Sequence, residues 1–256
     1  MINLEKAKKE FIKYTEKYDS KNSNISRKIG HTFRVENNCK IIAKSINMTE
    51  EQVEIAKLIG LLHDIGRFEQ YKKYQNFSDI KSVDLAKLGV EILKENSYIR
   101  NYIETITYDS IILKAIKNHN KLKIEEGLNK EELIFSKIIR DADKIDILFE
   151  EIEIFSKFQY SKVVNEIISE EVFNEAKRQK TINNKYINTN LDKVVQRILY
   201  VYDLNFKKAF EILEEKKYIN KIIDFYNYNE KSKIQIEEIR SLVNMYIANK
   251  VRGIRK

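Results

Sequence analysis

The 256 residues include no proline, six scattered glycines and one cysteine. With no proline to interrupt a helix interior, and with Lys, Glu, Ile, Leu and Asn dominating, the composition favours long helices and demands no sheet. The lone Cys39 excludes an internal disulfide and fits a reducing compartment. No apolar run approaches the ~20 residues of a spanning helix, and Met1 to Glu10 hold no apolar signal core. These absences predict an all-α, cytoplasmic, soluble protein with no membrane partner. Histidine is scarce as well: His31, His63 and His119 are the only three.

The formal charge of +8 comes from Lys and Arg closely mixed with Glu and Asp along the whole chain. A mixed pattern reads first as solvated helix faces, and second as a positive surface that draws in anionic substrates. No basic block with interleaved aromatics speaks for a nucleic-acid partner. The length predicts one large domain, or a helical core at 1–160 with a C-terminal helical extension at 161–256 packed on it.

Apolar spacing predicts a helix from Leu4 to about Asp19, a turn at Ser20–Ser23, and a second helix from Ser26 to about Ile46 that points His31 to its apolar side. Thr49 and Gln52 form a capping box that opens a third helix, expected to end near Gly66. Residues 67–81 read as a loop, Ser82 to about Glu95 as a helix, and Tyr98 to Ile106 as a short one. Ile112, Ala115, Ile116 and His119 repeat at helical spacing, with Asn118 and Asn120 marking an end there. After Leu128-Asn129 a long helix follows, and from about Val163 the chain is expected to stay helical, over Leu191–Tyr202, Phe206–Leu213, Ile219–Tyr226 and Ile234–Val251. The tail from Lys250 to Lys256 reads as frayed.

One stretch stands apart. Leu58-Ile59-Gly60-Leu61-Leu62 delivers His63 and Asp64 side by side, and an imidazole beside a carboxylate in apolar company needs partners. A second acidic group lies in Arg140-Asp141-Ala142-Asp143-Lys144-Ile145-Asp146. At ~100° per residue, Asp141 lies about 200° round the helix from Asp143, so at most two of these three acids face one site. Asp141 and Asp146 are expected to cap or pair locally. Two histidines and two aspartates form a nitrogen and oxygen set suited to a borderline divalent ion (Mn, Fe, Co, Ni or Zn) with positions left for water and substrate.

Gly30-His31-Thr32, then Gly60-Leu61-Leu62-His63-Asp64-Ile65-Gly66, then Arg140-Asp141-Ala142-Asp143-Lys144, together resemble the HD-domain superfamily of metal-dependent phosphohydrolases over about residues 24–160. The resemblance implies an all-α bundle with metal ligands His31, His63, Asp64 and Asp143, Mg joining the candidate ions. It implies hydrolysis of a phosphate ester by metal-activated water, on a small phosphorylated substrate of the nucleotide class. Asp64, Arg67, Lys144 and His119 are the catalytic candidates: Lys144 matches a phosphate-touching position, and His119 lines the pocket or binds substrate. Two departures stand out. Leu85 occupies a place where some relatives have a histidine for a second metal, and Arg67 replaces the glutamate that nucleotidase-type relatives use as proton donor; arginine suits phosphate binding. A catalytically silent ligand-binding module and a basic helical nucleic-acid-binding protein are the rival readings. The C-terminal helices either complete the pocket or make a homodimer.

Overall fold

The computed structural model describes residues 2–19, 21–77, 79, 82–156 and 162–253. The expected turn at Ser20 and the end of the frayed tail, residues 254–256, lie outside the described residues. The chain is all-α in class and divides into two compact units, 1–143 and 144–256. None of its described helices is long and apolar enough to cross a membrane.

The first unit is built from α1 (Leu4–Thr15), α2 (Ser23–Ser45), α3 (Glu50–Leu62), α4 (Ile65–Tyr74), α5 (Leu85–Lys94), a 3-10 segment (Glu95–Asn101), α6 (Asp109–Asn118) and the first half of α7 (Lys130–Ser156). α1 buries Leu4, Ala7, Phe11 and Tyr14. Phe11 meets Phe33 of α2 and Phe68 of α4 edge-on, each with centroids 5.8 Å apart. The helix stops earlier than its spacing suggests. The Thr15 hydroxyl donates to Ile12 O, and Tyr18 leaves the helical path to donate to Tyr14 Oη and Glu69. α2 begins at Ser23 because Asn22 caps it, its side chain accepting from Asn24 N.

The Thr49–Gln52 capping box is present, but α3 ends at Leu62 and not near Gly66. A new helix, α4, occupies much of the expected loop at 67–81. Its inward face is Ile65, Gly66, Phe68 and Gln70, so a glycine and a fully buried glutamine replace the aliphatics that would have marked it. The Gln70 amide is satisfied by Asp79, Ser82 and Val83 O. Gly66 is required for close packing: a Cβ there would stand 2.5 Å from Leu85 O and 2.8 Å from Gly89 N of α5.

α5 starts later than expected, at Leu85, because the Asp84 carboxylate caps it through Ala86 N and Lys87 N. Its buried side is Leu85, Ala86, Gly89 and Leu93, and Val83 lies outside it. The expected helix over Tyr98–Ile106 is replaced by the 3-10 segment, where Asn96 and Ser97 take left-handed backbone angles (φ 47° and 56°). α6 and α7 follow the spacing. α7 opens with a reciprocal cap, Asn129 Oδ1 accepting from Glu132 N and Glu132 Oε2 from Asn129 N.

The second unit holds the rest of α7, β1 (Lys162–Val164), α8 (Glu170–Lys177), α9 (Asn190–Ile198), α10 (Lys207–Lys216), α11 (Tyr218–Asp224), β2 (Tyr226–Tyr228) and α12 (Glu230–Arg252). The two short strands pair in parallel, with Val163 opposite Asn227, which corrects the expectation of helix from Val163 onward. Asp192, fully buried, accepts from Ser169, Asn188 and Thr189 and joins the start of α8 to the start of α9.

Candidate metal centre

Helix ends carry three of the ligand-type side chains, His63, Asp64 and His119, and helix interiors carry His31 and Asp143. His31 lies mid-α2 on its inner face and is fully buried. His63 closes α3, and its Nδ1 hydrogen-bonds Gly60 O at 2.7 Å. His119 closes α6 by the same device, its Nδ1 2.7 Å from Ile116 O. A carbonyl only accepts, so in both rings Nδ1 carries a hydrogen, and in a neutral ring this leaves Nε2 as the site with the lone pair.

Asp64 occupies the N-cap position of α4, where a carboxylate ordinarily bonds the helix amides, yet its side chain makes no capping bond. Forgoing the cap costs about 1 kcal/mol. The carboxylate turns to the histidines instead. Oδ2 lies 3.5 Å from His31 Nε2 and 3.7 Å from His63 Nε2, and Oδ1 lies 3.7 Å from His119 Nε2. Asp143 places Oδ1 3.2 Å from His31 Nε2 and 3.7 Å from His63 Nε2. The Asn38 amide donates to Ala142 O at 3.2 Å and ties α7 to α2 beside it.

The donor set fits a divalent ion. His31 and His63 face each other with Nε2 atoms 3.3 Å apart, a gap that one ion about 2.1 Å from each nitrogen can span. The lone pair of His63 looks at two carboxylate oxygens, acceptors that one cation would satisfy together. His31, His63 and Asp64 offer ligand atoms all within 4.8 Å of one another, and all three are buried.

Electrostatics keep the set in its ligating form. Burial pushes the His63 imidazole down to about 4, although both carboxylates oppose it. Burial alone would raise Asp64; the Lys28 ammonium foremost, with His63, His119 and Arg67, overturns this and holds the carboxyl well below its usual range. Asp143 is held low in the same way, against burial, by the hydrogen bond from His31 and the neighbouring imidazoles. At neutral pH His63 is uncharged, so the standing positive charge beside Asp64 belongs to Lys28 and Arg67. The Cys39 thiol, fully buried, is raised by burial and is no nucleophile.

Lys28 was not singled out by its sequence position. Its Nζ sits 2.9 Å from Asp64 Oδ2, three residues before His31 on the same face of α2, and that spacing is the signal that could have found it. Arg67, a sequence candidate, places Nε 3.5 Å from Asp64 Oδ1. Lys144 is engaged elsewhere: its ammonium pairs with Asp203 at 2.8 Å within the second unit. Arg140, readable in sequence only as one more basic residue, is almost fully buried and donates to Asn118 O and Lys121 O, clamping the turn that carries His119. Leu85 is a buried aliphatic that brings no donor atom.

The spacing between His31 and His63 depends on Gly60. A Cβ at this position would stand 2.8 Å from Glu36 Cα and 3.1 Å from Cys39 Sγ, so α2 and α3 approach each other only because it is absent. Gly60→Ala is expected to destabilise the protein by about 1–3 kcal/mol and to weaken divalent-ion binding, both read by urea unfolding with and without Mn²⁺. An unchanged unfolding midpoint would show that the helices can part without consequence.

Comparison with known proteins adds one finding. The family model for the HD domain matches residues 29–148, a span that contains His31, His63, Asp64, His119 and Asp143 and begins one residue after Lys28. Searches of the curated proteins and of the solved structures returned no match.

Proposed function

From the HD-domain family, to which this chain belongs through residues 29–148, we propose that it is a metal-dependent phosphohydrolase cleaving a phosphate ester of a nucleotide or related phosphorylated metabolite. The observation that carries this reading is the buried group of His31, His63 and Asp64, whose ligand atoms lie within 4.8 Å of one another, with Asp143 beside both imidazoles. A divalent ion bound there supplies a water of lowered pKa and polarises a phosphoryl oxygen.

The chain's own residues do the remainder. His31, His63, Asp64 and Asp143 hold the ion, and the Gly60 carbonyl fixes the His63 tautomer. Lys28 and Arg67, one on each oxygen of Asp64, bring positive charge to the side a phosphate would approach. His119, with its Nε2 lone pair beside Asp64 Oδ1, is placed to accept a proton or hydrogen bond from substrate. Lys144 would add a phosphate contact only by giving up Asp203.

The test is phosphate release by purified protein with Mn²⁺, Co²⁺, Ni²⁺ or Mg²⁺, on nucleoside monophosphates, sugar phosphates and a generic phosphodiester. Metal-dependent release that His31→Ala removes is the expected result. No release with any ion and substrate would overturn the proposal, and nucleotide-induced thermal stabilisation without release would favour the silent ligand-binding module.

A further inference from the structure

The two oxygens of Asp64 look in different directions. Oδ2 faces His31, His63 and Lys28, whereas Oδ1 faces His119 Nε2 at 3.7 Å and Arg67 Nε at 3.5 Å. The Oδ1 side therefore has a carboxylate oxygen and an imidazole Nε2 of its own, which is half of a second cation site. What stands beside them is a guanidinium.

That guanidinium is not free to leave. Arg67 Nη1 is shared among Gln70 Oε1, Phe77 O and Asp79 Oδ1, each at 2.8 Å. Asp79 is anchored in turn by the Gln70 amide at 3.0 Å and by Asn120, the neighbour of His119, at 2.9 Å. Arg67 Nε, buried, has no hydrogen-bond partner among the described residues and lies beside Asp64 Oδ1 as an ion pair. Arginine stays charged at every accessible pH. A second divalent ion on Oδ1 would have to sit against this fixed positive charge, whereas the Lys28 ammonium on Oδ2 is a single flexible stem that can turn aside for an ion.

We infer that Arg67 takes the place of a second ion, so that the centre holds one divalent cation, on the Oδ2 side, and a built-in cation on the Oδ1 side. The inference rests on the reading that His31, His63, Asp64 and Asp143 bind a metal, and it goes beyond it by fixing the number of ions and the residue that sets that number. It makes Arg67 a determinant of metal stoichiometry, with its Nε donor turned to the carboxylate.

The experiment is equilibrium dialysis against Mn²⁺, with electron paramagnetic resonance of the bound ion, on the full chain and on Arg67→Glu, Arg67→Gln and Arg67→Lys. The parent and Arg67→Lys are expected to hold one Mn²⁺ per chain with the spectrum of an isolated ion. Arg67→Glu, which adds a third donor to Asp64 Oδ1 and His119, is expected to hold two, with the broadened spectrum of a coupled pair and a second-ion affinity at least 100-fold above the parent's. Arg67→Gln, the milder change should the glutamate variant not fold, is expected to admit a second ion more weakly. Two ions in the parent, or one in every folded variant, would overturn the inference while leaving the metal reading intact. No bound Mn²⁺ in the parent would overturn both.

Discussion

Asp64→Asn is expected to weaken Mn²⁺ binding by well over the roughly 10–100-fold that loss of an outer hydrogen-bond partner costs a metal site, and to abolish metal-dependent hydrolysis with it. Asp64 lies beside five groups of the centre: His31, His63 and Lys28 through Oδ2, His119 and Arg67 through Oδ1. An amide of the same shape keeps the packing but removes the charge the ion needs, and it presents an N–H to at least one lone pair. It also leaves Lys28 and Arg67 without their shared counter-charge. Both keep some contact with solvent, their side chains 13% and 17% exposed. The loss of stability in chelator should therefore fall below the 3–5 kcal/mol of a fully buried broken pair. Titration calorimetry with Mn²⁺, beside thermal unfolding in chelator, separates the two effects. Parent-like Mn²⁺ affinity in Asp64→Asn would mean that the ion binds somewhere else.

The ligand side of this centre was readable because it uses rare residue types in marked contexts. Three histidines in 256 residues leave few ways to build a site, and His63-Asp64 at the end of an apolar run is conspicuous. The positive side was readable at Arg67, which follows the His63-Asp64 pair, and not beyond it, for the opposite reason. Lys28 and Arg140 belong to a set of 47 basic residues, and in such a background the three-residue step from Lys28 to His31 does not stand out unless His31 is already taken as a ligand. Arg140 is recognisable only once its guanidinium is seen against the carbonyls after α6.

The fold divides along similar lines. Helices whose inward faces are aliphatic follow their periodicity, α6 to its end at His119 and α3 from its capping box as far as Leu62. α4 was missed because Gly66 and Gln70 hold its inward positions, Gly66 for closeness to Gly89 and Gln70 to satisfy the polar loop around Asp79. β1 and β2 are three residues each, too short for an alternating pattern to register, and only their pairing across more than sixty residues defines them.

The chelated protein should lose stability as the pH falls from about 6.5 to about 4, and His63 should account for most of that loss. Burial holds its imidazole near 4, against 6.5 in an unfolded chain. Between these values the unfolded chain takes up a proton that native His63 refuses, so acid favours unfolding. The stabilising difference is fully present above pH 6.5 and is gone by about pH 4. At 1.36 kcal/mol per unit, the loss is on the order of 3 kcal/mol. Asp64 and Asp143 act with the same sign but lower down. Their carboxyls are held below the ordinary value of 3.8, so their share is lost only as the pH drops beneath it. Urea midpoints measured in chelator at pH 7, 6, 5 and 4 should therefore decline steeply for the parent and about one proton less steeply for His63→Gln, whose amide can still reach Gly60 O. Saturating Mn²⁺ should steepen the parent's decline, because only the native, deprotonated ligands bind the ion and each proton competes with it. Identical slopes in chelator for the parent and His63→Gln would mean that the buried imidazole carries a proton after all, and the lone pair on which the metal site depends would not be there.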